Sequence, residues 1–134
     1  MKKFLLILFA ELFLVVGCMK DIPTNSSDSE NYTMIGRWVQ VGFEESVLYE
    51  FTDTERHTFY ASEPGVFGSI EDGSIIHPVV YHNDGSFTID LHFGNSVTYI
   101  PEFSCEGRVV DFWLSDGEKH STNLKENFNT GDCY

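Results

Sequence analysis

From residue 35 onward the chain is a succession of short runs rich in β-branched and aromatic residues, each stopped by a cluster of turn residues. That rhythm leaves little besides antiparallel sheet. The runs are 35–41, 47–52, 57–61, 75–81, 87–93, 97–103, 109–114 and a more polar 120–128. Within them apolar side chains recur at every second position. Phe87, Ile89, Leu91 and Phe93 share one face, and Thr88, Asp90 and His92 the other. Val47, Tyr49 and Phe51 alternate with Leu48, Glu50 and Thr52, and Val110, Phe112 and Leu114 with Val109, Asp111 and Trp113. Successive side chains of a strand point to opposite faces, whereas a helical stripe repeats at about 3.6 residues.

The breaks have turn chemistry. Asn83-Asp84-Gly85 and Asp116-Gly117 place glycine where positive φ is wanted, and Asp53-Thr54-Glu55 and Gly94-Asn95 are further polar breaks. Pro78 has no N–H for a ladder, so its run is expected at a sheet edge or on a bulge. Loops this short join antiparallel neighbours, and a meander of such strands must close or fold over to bury its apolar face. The expected fold is therefore all-β: an antiparallel meander of eight runs forming a small barrel or a flattened sandwich over residues 34–134. The long, Gly-rich acidic stretch 63–74 is its one extended connection.

The first segment has a different texture. Lys2 and Lys3 precede a 13-residue apolar stretch, 4–16, that contains Glu11. Charged start, short apolar run and small residues at its end describe a secretory signal, and the run falls short of the roughly 20 apolar residues of a membrane span. Its end, Val15-Val16-Gly17-Cys18, resembles the lipobox of bacterial lipoproteins, which implies cleavage after residue 17 and a lipid on Cys18. Residues 19–33 are rich in Ser, Asn, Asp and Pro and read as a flexible tether. Met19 stands where inner-membrane retention would want Asp, and Lys20-Asp21 resembles the export tags of surface lipoproteins. The expected address is the cell envelope, on the outer membrane facing periplasm or surface, with the membrane as a partner through the lipid.

Charge narrows the partners further. The chain carries −13, and without residues 1–17 it holds six basic against twenty acidic side chains, or −14. Such a surface repels nucleic acid, which is excluded as a partner. With Cys18 committed to lipid, Cys105 and Cys133 form an even pair that reads as a disulfide in an oxidising compartment.

Gly36-Arg37-Trp38, at the head of the first run, resembles the Gly-x-Trp that opens lipocalin-like barrels. The resemblance implies that Trp38 closes the narrow end and that Lys125, in the last run, packs across it. Lipobox, polar tether, Gly-x-Trp, eight runs and C-terminal Cys together resemble the small lipocalin-like lipoproteins of Bacteroidota. In such a barrel Trp38, Tyr49, Phe51, Phe59, Phe87 and Phe112 are the candidates to line a pocket for a small apolar or amphipathic ligand. The same aromatics can instead fill the barrel solid, which would make the domain an accessory or interaction subunit of an envelope complex.

Catalytic chemistry has no sequence signal. Gly-x-Ser-x-Gly, a phosphate loop and His-Glu-x-x-His are all missing from the sequence. The histidines at 57, 77, 82, 92 and 120 fall in different runs or loops, the two unassigned cysteines lack zinc spacing, and the acidic clusters lack the calcium-loop pattern. No enzyme activity, metal or cofactor is expected.

Overall fold

The computed structural model describes residues 31–133; the signal and Cys18 lie outside the described residues. Eight strands follow in order: β1 (Gly36–Gln40), β2 (Val47–Phe51), β3 (Glu55–Tyr60), β4 (Ile75–Tyr81), β5 (Phe87–Asp90), β6 (Ser96–Ser104), β7 (Val109–Trp113) and β8 (Lys119–Lys125). Each pairs antiparallel with the next, and β8 returns to β1. The meander is a closed lipocalin-like barrel, not a sandwich. Closure removes the two free edges that an open sheet of this length would expose.

The register sorts side chains cleanly. Trp38 opposes Tyr49 and Lys125, Tyr49 opposes Thr58, Phe51 opposes Arg56, and Arg56 opposes His77. These residues face inward, as do Val79, Phe87, Ile89, Tyr99, Val110 and Phe112; the last six with Met34, Trp38 and Phe51 form the principal core. A second cluster, Val39, Leu48, Phe59 and Leu124, lies on the outer face and is covered by Phe67 and Phe128. One wall, β8-β1-β2-β3, is thus buried on both sides. That is why 47–52 carries apolar residues in both of its alternating sets.

Two expectations need correction. Pro78 sits on an interior strand of the barrel, opposite Glu55, and not at an edge. It is tolerated because β4 pairs with β5 only from Val79 onward, so no ladder bond on that side needs its nitrogen. The inward row of the fifth run also stops early. β5 ends at Asp90, His92 and Phe93 take left-handed φ of 69° and 54°, and Phe93 is 100% exposed.

The end of the barrel nearest the N-terminus is shut. The Trp38 indole N–H donates to the Met34 carbonyl at 2.7 Å. Lys125 Nζ donates to the Ile35 carbonyl at 3.0 Å and lies 4.3 Å from the Trp38 ring centroid, the packing that the Gly-x-Trp resemblance implies. Gly36 is required between them. Its φ is +123°, and a Cβ there would fall 2.7 Å from Lys125 Nζ. Gly36→Ala should cost about 2 kcal/mol from backbone strain and displaced lysine, read as a lowered urea midpoint. Tyr32 packs on Phe103 at 5.8 Å and over Gly107, where its ring occupies the place of a side chain.

Cys105, in the β6–β7 turn, is bonded to Cys133 in the last 3-10 turn, with Cα atoms 5.5 Å apart. The expected disulfide is therefore present, and it clips the tail onto the barrel. Phe128 lies under the Arg108 guanidinium at 4.7 Å and ties the same tail.

At the same end, Tyr81 donates its hydroxyl to the Thr52 carbonyl at 2.8 Å. Burial, helped by the charge of Asp53, raises its pKa from 10.0 to about 12. The unfolded phenol loses its proton near 10 and the folded one near 12. Stability from this group is therefore complete below pH 10 and falls as pH rises across that window. Lys125, lowered by burial, acts in the opposite sense below its ordinary 10.5. Tyr81→Phe should flatten the alkaline decline in urea midpoint between about pH 10 and 12.

Candidate functional site

The middle of the barrel is an aromatic plug. Phe51 meets Phe87 edge-on at 5.7 Å and Phe112 at 6.3 Å, and Phe87 meets Phe112 at 5.3 Å. Tyr99 stacks on Phe112 at 5.1 Å and lies 5.7 Å from Phe87. These are preferred aromatic separations, and they leave the centre closed to a ligand.

The six aromatics expected to line a pocket therefore divide. Trp38 closes one end; Phe51, Phe87 and Phe112 make the plug; Tyr49 stands half-buried beyond it. Phe59 is not interior at all. It opposes Leu48 on the outer face, beneath the Arg37 guanidinium at 5.4 Å, because the strand's period of two puts it opposite in sense to Thr58. Tyr99 and Phe103 are interior aromatics outside that set of six. Their spacing of two with Val97 and Pro101 in one run is the signal for them.

Beyond the plug, toward loops 41–46 and 114–118, the inner face turns polar. Gln40, Tyr49, Arg56, His120, Ser121 and Asn123, above a floor of Phe51, Phe112 and Tyr99, enclose a void of about 30 Å³. The register shift between Phe112 and Trp113 accompanies the approach of His120 to Tyr99, at 5.0 Å. His120 is exposed, so the void reaches solvent.

Arg56 dominates this cup. Its guanidinium carbon lies 4.9 Å from the Tyr49 ring, and Nη2 donates to His77 Nδ1 at 3.1 Å, which requires that nitrogen to be unprotonated. Burial, the Arg56 charge and His92 all lower the His77 pKa, which keeps it an acceptor. His77 in turn stacks on His92 at 5.2 Å. Arg56 Nε and Thr58 Oγ1 are buried with no hydrogen-bond partner. Burial lowers the Arg56 pKa, and the groups that offset this are the hydroxyls of Tyr49, Tyr99 and Tyr60.

The charge distribution is uneven. Of the five described basic side chains, Arg37, Arg108 and Lys119 pair with carboxylates on the outside. Arg56 and Lys125 face inward and have no carboxylate partner among the described residues. The inward register positions of β1 to β8 hold no Asp or Glu. An acidic protein thus has a cationic interior.

No protein family, curated protein or solved structure matches this chain. Geometry alone carries the functional reading. A larger cleft of about 380 Å³ lies at the closed end, beside Asn31, Met34, Phe87 and Phe103. Three of its polar side chains are engaged: Tyr81 with Thr52, His82 with Thr88, and Ser86 with Asp84. On the outer face, His57 Nδ1 meets Ser74 Oγ at 2.7 Å and Nε2 meets Glu55 at 3.1 Å. The order is that of a hydrolytic relay, yet its evident work is structural. It satisfies both nitrogens of an imidazole that is 3% exposed and ties the 63–74 stretch to the wall. Among the described residues no three His, Cys, Asp or Glu side chains gather as a metal site; His77 and His92 meet, but His57 is on the other face.

Proposed function

We propose that the chain is a lipid-anchored binding module of the cell envelope, whose barrel receives a small amphipathic ligand at the end opposite Trp38. The observation that carries this reading is the polar cup above the aromatic plug, open to solvent at His120, in a barrel whose other end is shut by Trp38, Met34 and Lys125. A self-sufficient core has no use for half-buried Gln40, Tyr49, Arg56 and Ser121 around a void. The plug also revises the ligand. A wholly apolar molecule held at the centre has no room, so the ligand's apolar part lies at the mouth and its polar part points inward. Signal, Val15-Val16-Gly17-Cys18 and the 19–33 stretch support the anchor and the envelope address.

Native mass spectrometry of the full chain, purified from its own host's envelope, tests both parts. A reproducible adduct of a few hundred daltons lost on denaturation, on a protein whose N-terminal peptide begins at an acylated Cys18, is expected. A clean apo mass would overturn the binding reading, and an unmodified Cys18 the anchor.

One observation favours the accessory-subunit reading. Phe93 is wholly exposed on left-handed backbone in the 91–95 turn, and Phe43 and Tyr60 are exposed at the same end of the barrel. On that reading Phe93→Ser abolishes co-purification of an envelope partner and leaves any small-molecule adduct untouched.

A further inference from the structure

We propose that the group anchored in the cup is a carboxylate, received by the Arg56 guanidinium; this rests on the ligand-binding reading above. Four observations converge. Arg56 is an inward cation with no carboxylate partner among the described residues, in a chain of net charge −13. Its Nε is buried without a hydrogen-bond partner. The void it lines, about 30 Å³, has the room of two waters, which is also the room of the two oxygens of a carboxylate. The surrounding donors are neutral: Gln40, Ser121 and Asn123, with Tyr49 packed against the guanidinium.

Burying a cation with an unmet donor is costly unless something completes it. Among the described residues no strand places a carboxylate on the inner face, so a ligand must bring the missing charge. Guanidinium presents parallel N–H groups matched to the two oxygens of a carboxylate. A phosphate dianion fits worse. It brings more oxygen than the void holds, and the acidic exterior repels its second charge. Tyr49 and His120, above the floor, would flank the ligand's body, which can be aliphatic or aromatic.

The chain contains three arginines, Arg37, Arg56 and Arg108, so the Nε–H region of a ¹⁵N-arginine spectrum holds three signals. The full lipidated chain in phosphatidylcholine nanodiscs would be titrated with hexanoate and benzoate, and with their uncharged counterparts hexanamide and benzamide. The expected result is that a carboxylate moves the Arg56 signal and not those of Arg37 and Arg108, with the matching amide at least about ten-fold weaker. The tighter of the two carboxylates tells whether the body is aliphatic or aromatic. Arg56→Met should lose the preference for carboxylate over amide and, by removing an incompletely partnered buried charge, raise the melting temperature by about 5 °C. Arg56→Lys should keep a weakened preference.

Equal binding of acid and amide would overturn the carboxylate while leaving a binding module. An unmoved Arg56 signal with all four probes would also overturn it, and the native-mass adduct then decides separately whether a ligand site exists. An Arg56→Met protein that melts lower and still prefers the carboxylate would place the anion elsewhere and sink the inference.

Discussion

Trp38→Ala should lower the stability of the barrel by about 3–5 kcal/mol, the cost of truncating a large aromatic in a packed core. Trp38 is 0% exposed and belongs to the principal core. It also holds three separate parts of the chain. Its N–H fixes Met34, its ring lies 6.3 Å from Phe103 of β6, and Lys125 of β8 lies over its face. Removing the indole leaves a cavity at the shut end and strands Lys125 without its aromatic neighbour. Trp38→Phe retains much of the volume and loses the Met34 hydrogen bond, so about 1 kcal/mol is expected from the lost bond. Urea denaturation of the three proteins measures both. A loss below about 1 kcal/mol for the alanine variant would show that the barrel end closes without Trp38.

Breaking the Cys105–Cys133 bond should cost about 3.5 kcal/mol by the chain-entropy estimate for a loop of this size, the two residues being 28 apart in sequence. For a domain this small that is a fall in melting temperature on the order of 20 °C. Cys105→Ser with Cys133→Ser, or reduction of the native protein, gives the measurement. The bond fastens the tail that carries Phe128, and Phe128 covers the outer cluster of Val39, Leu48, Phe59 and Leu124. Loosening it therefore threatens apolar cover on the β8-β1-β2-β3 wall as well as chain entropy. If the Arg108–Phe128 contact holds the tail unaided, the reduced protein will melt within a few degrees of the native one, and the entropic estimate fails.

Local pattern made much of this protein legible. Strand content, order and antiparallel pairing follow from the period of two and from turn residues such as Asn83-Asp84-Gly85 and Asp116-Gly117, because side-chain alternation and loop length are local properties. The Cys105–Cys133 bond and the Trp38–Lys125 contact were legible too, the first from cysteine arithmetic and the second from the Gly-x-Trp resemblance. Phe59 was misplaced inside because its run, 57–61, has apolar and polar residues on both faces. Nothing local says that a second layer, Phe67 and Phe128, will cover the outside. The alternation that puts Phe93 on one face with Phe87, Ile89 and Leu91 is broken by the left-handed turn at His92 and Phe93.

The candidate site was the least legible part. Arg56 carries no sequence signal because it falls between the Asp53-Thr54-Glu55 break and the run 57–61, where a single arginine resembles a solvated charge. Its meaning depends on which face it occupies and on where every carboxylate lies. Alternation, turn chemistry and composition were enough for an all-β meander, its register-setting turns, its acidic charge and the Cys105–Cys133 pair. Closure of the sheet, packing of the aromatics into a plug, and the inward placement of Arg56 with the described strand acids outward are tertiary outcomes. Those outcomes depend on pairing β8 with β1, a contact between residues nearly ninety positions apart, such as Trp38 and Lys125. No window of local sequence contains both partners, so no local pattern can report which side of the wall they face.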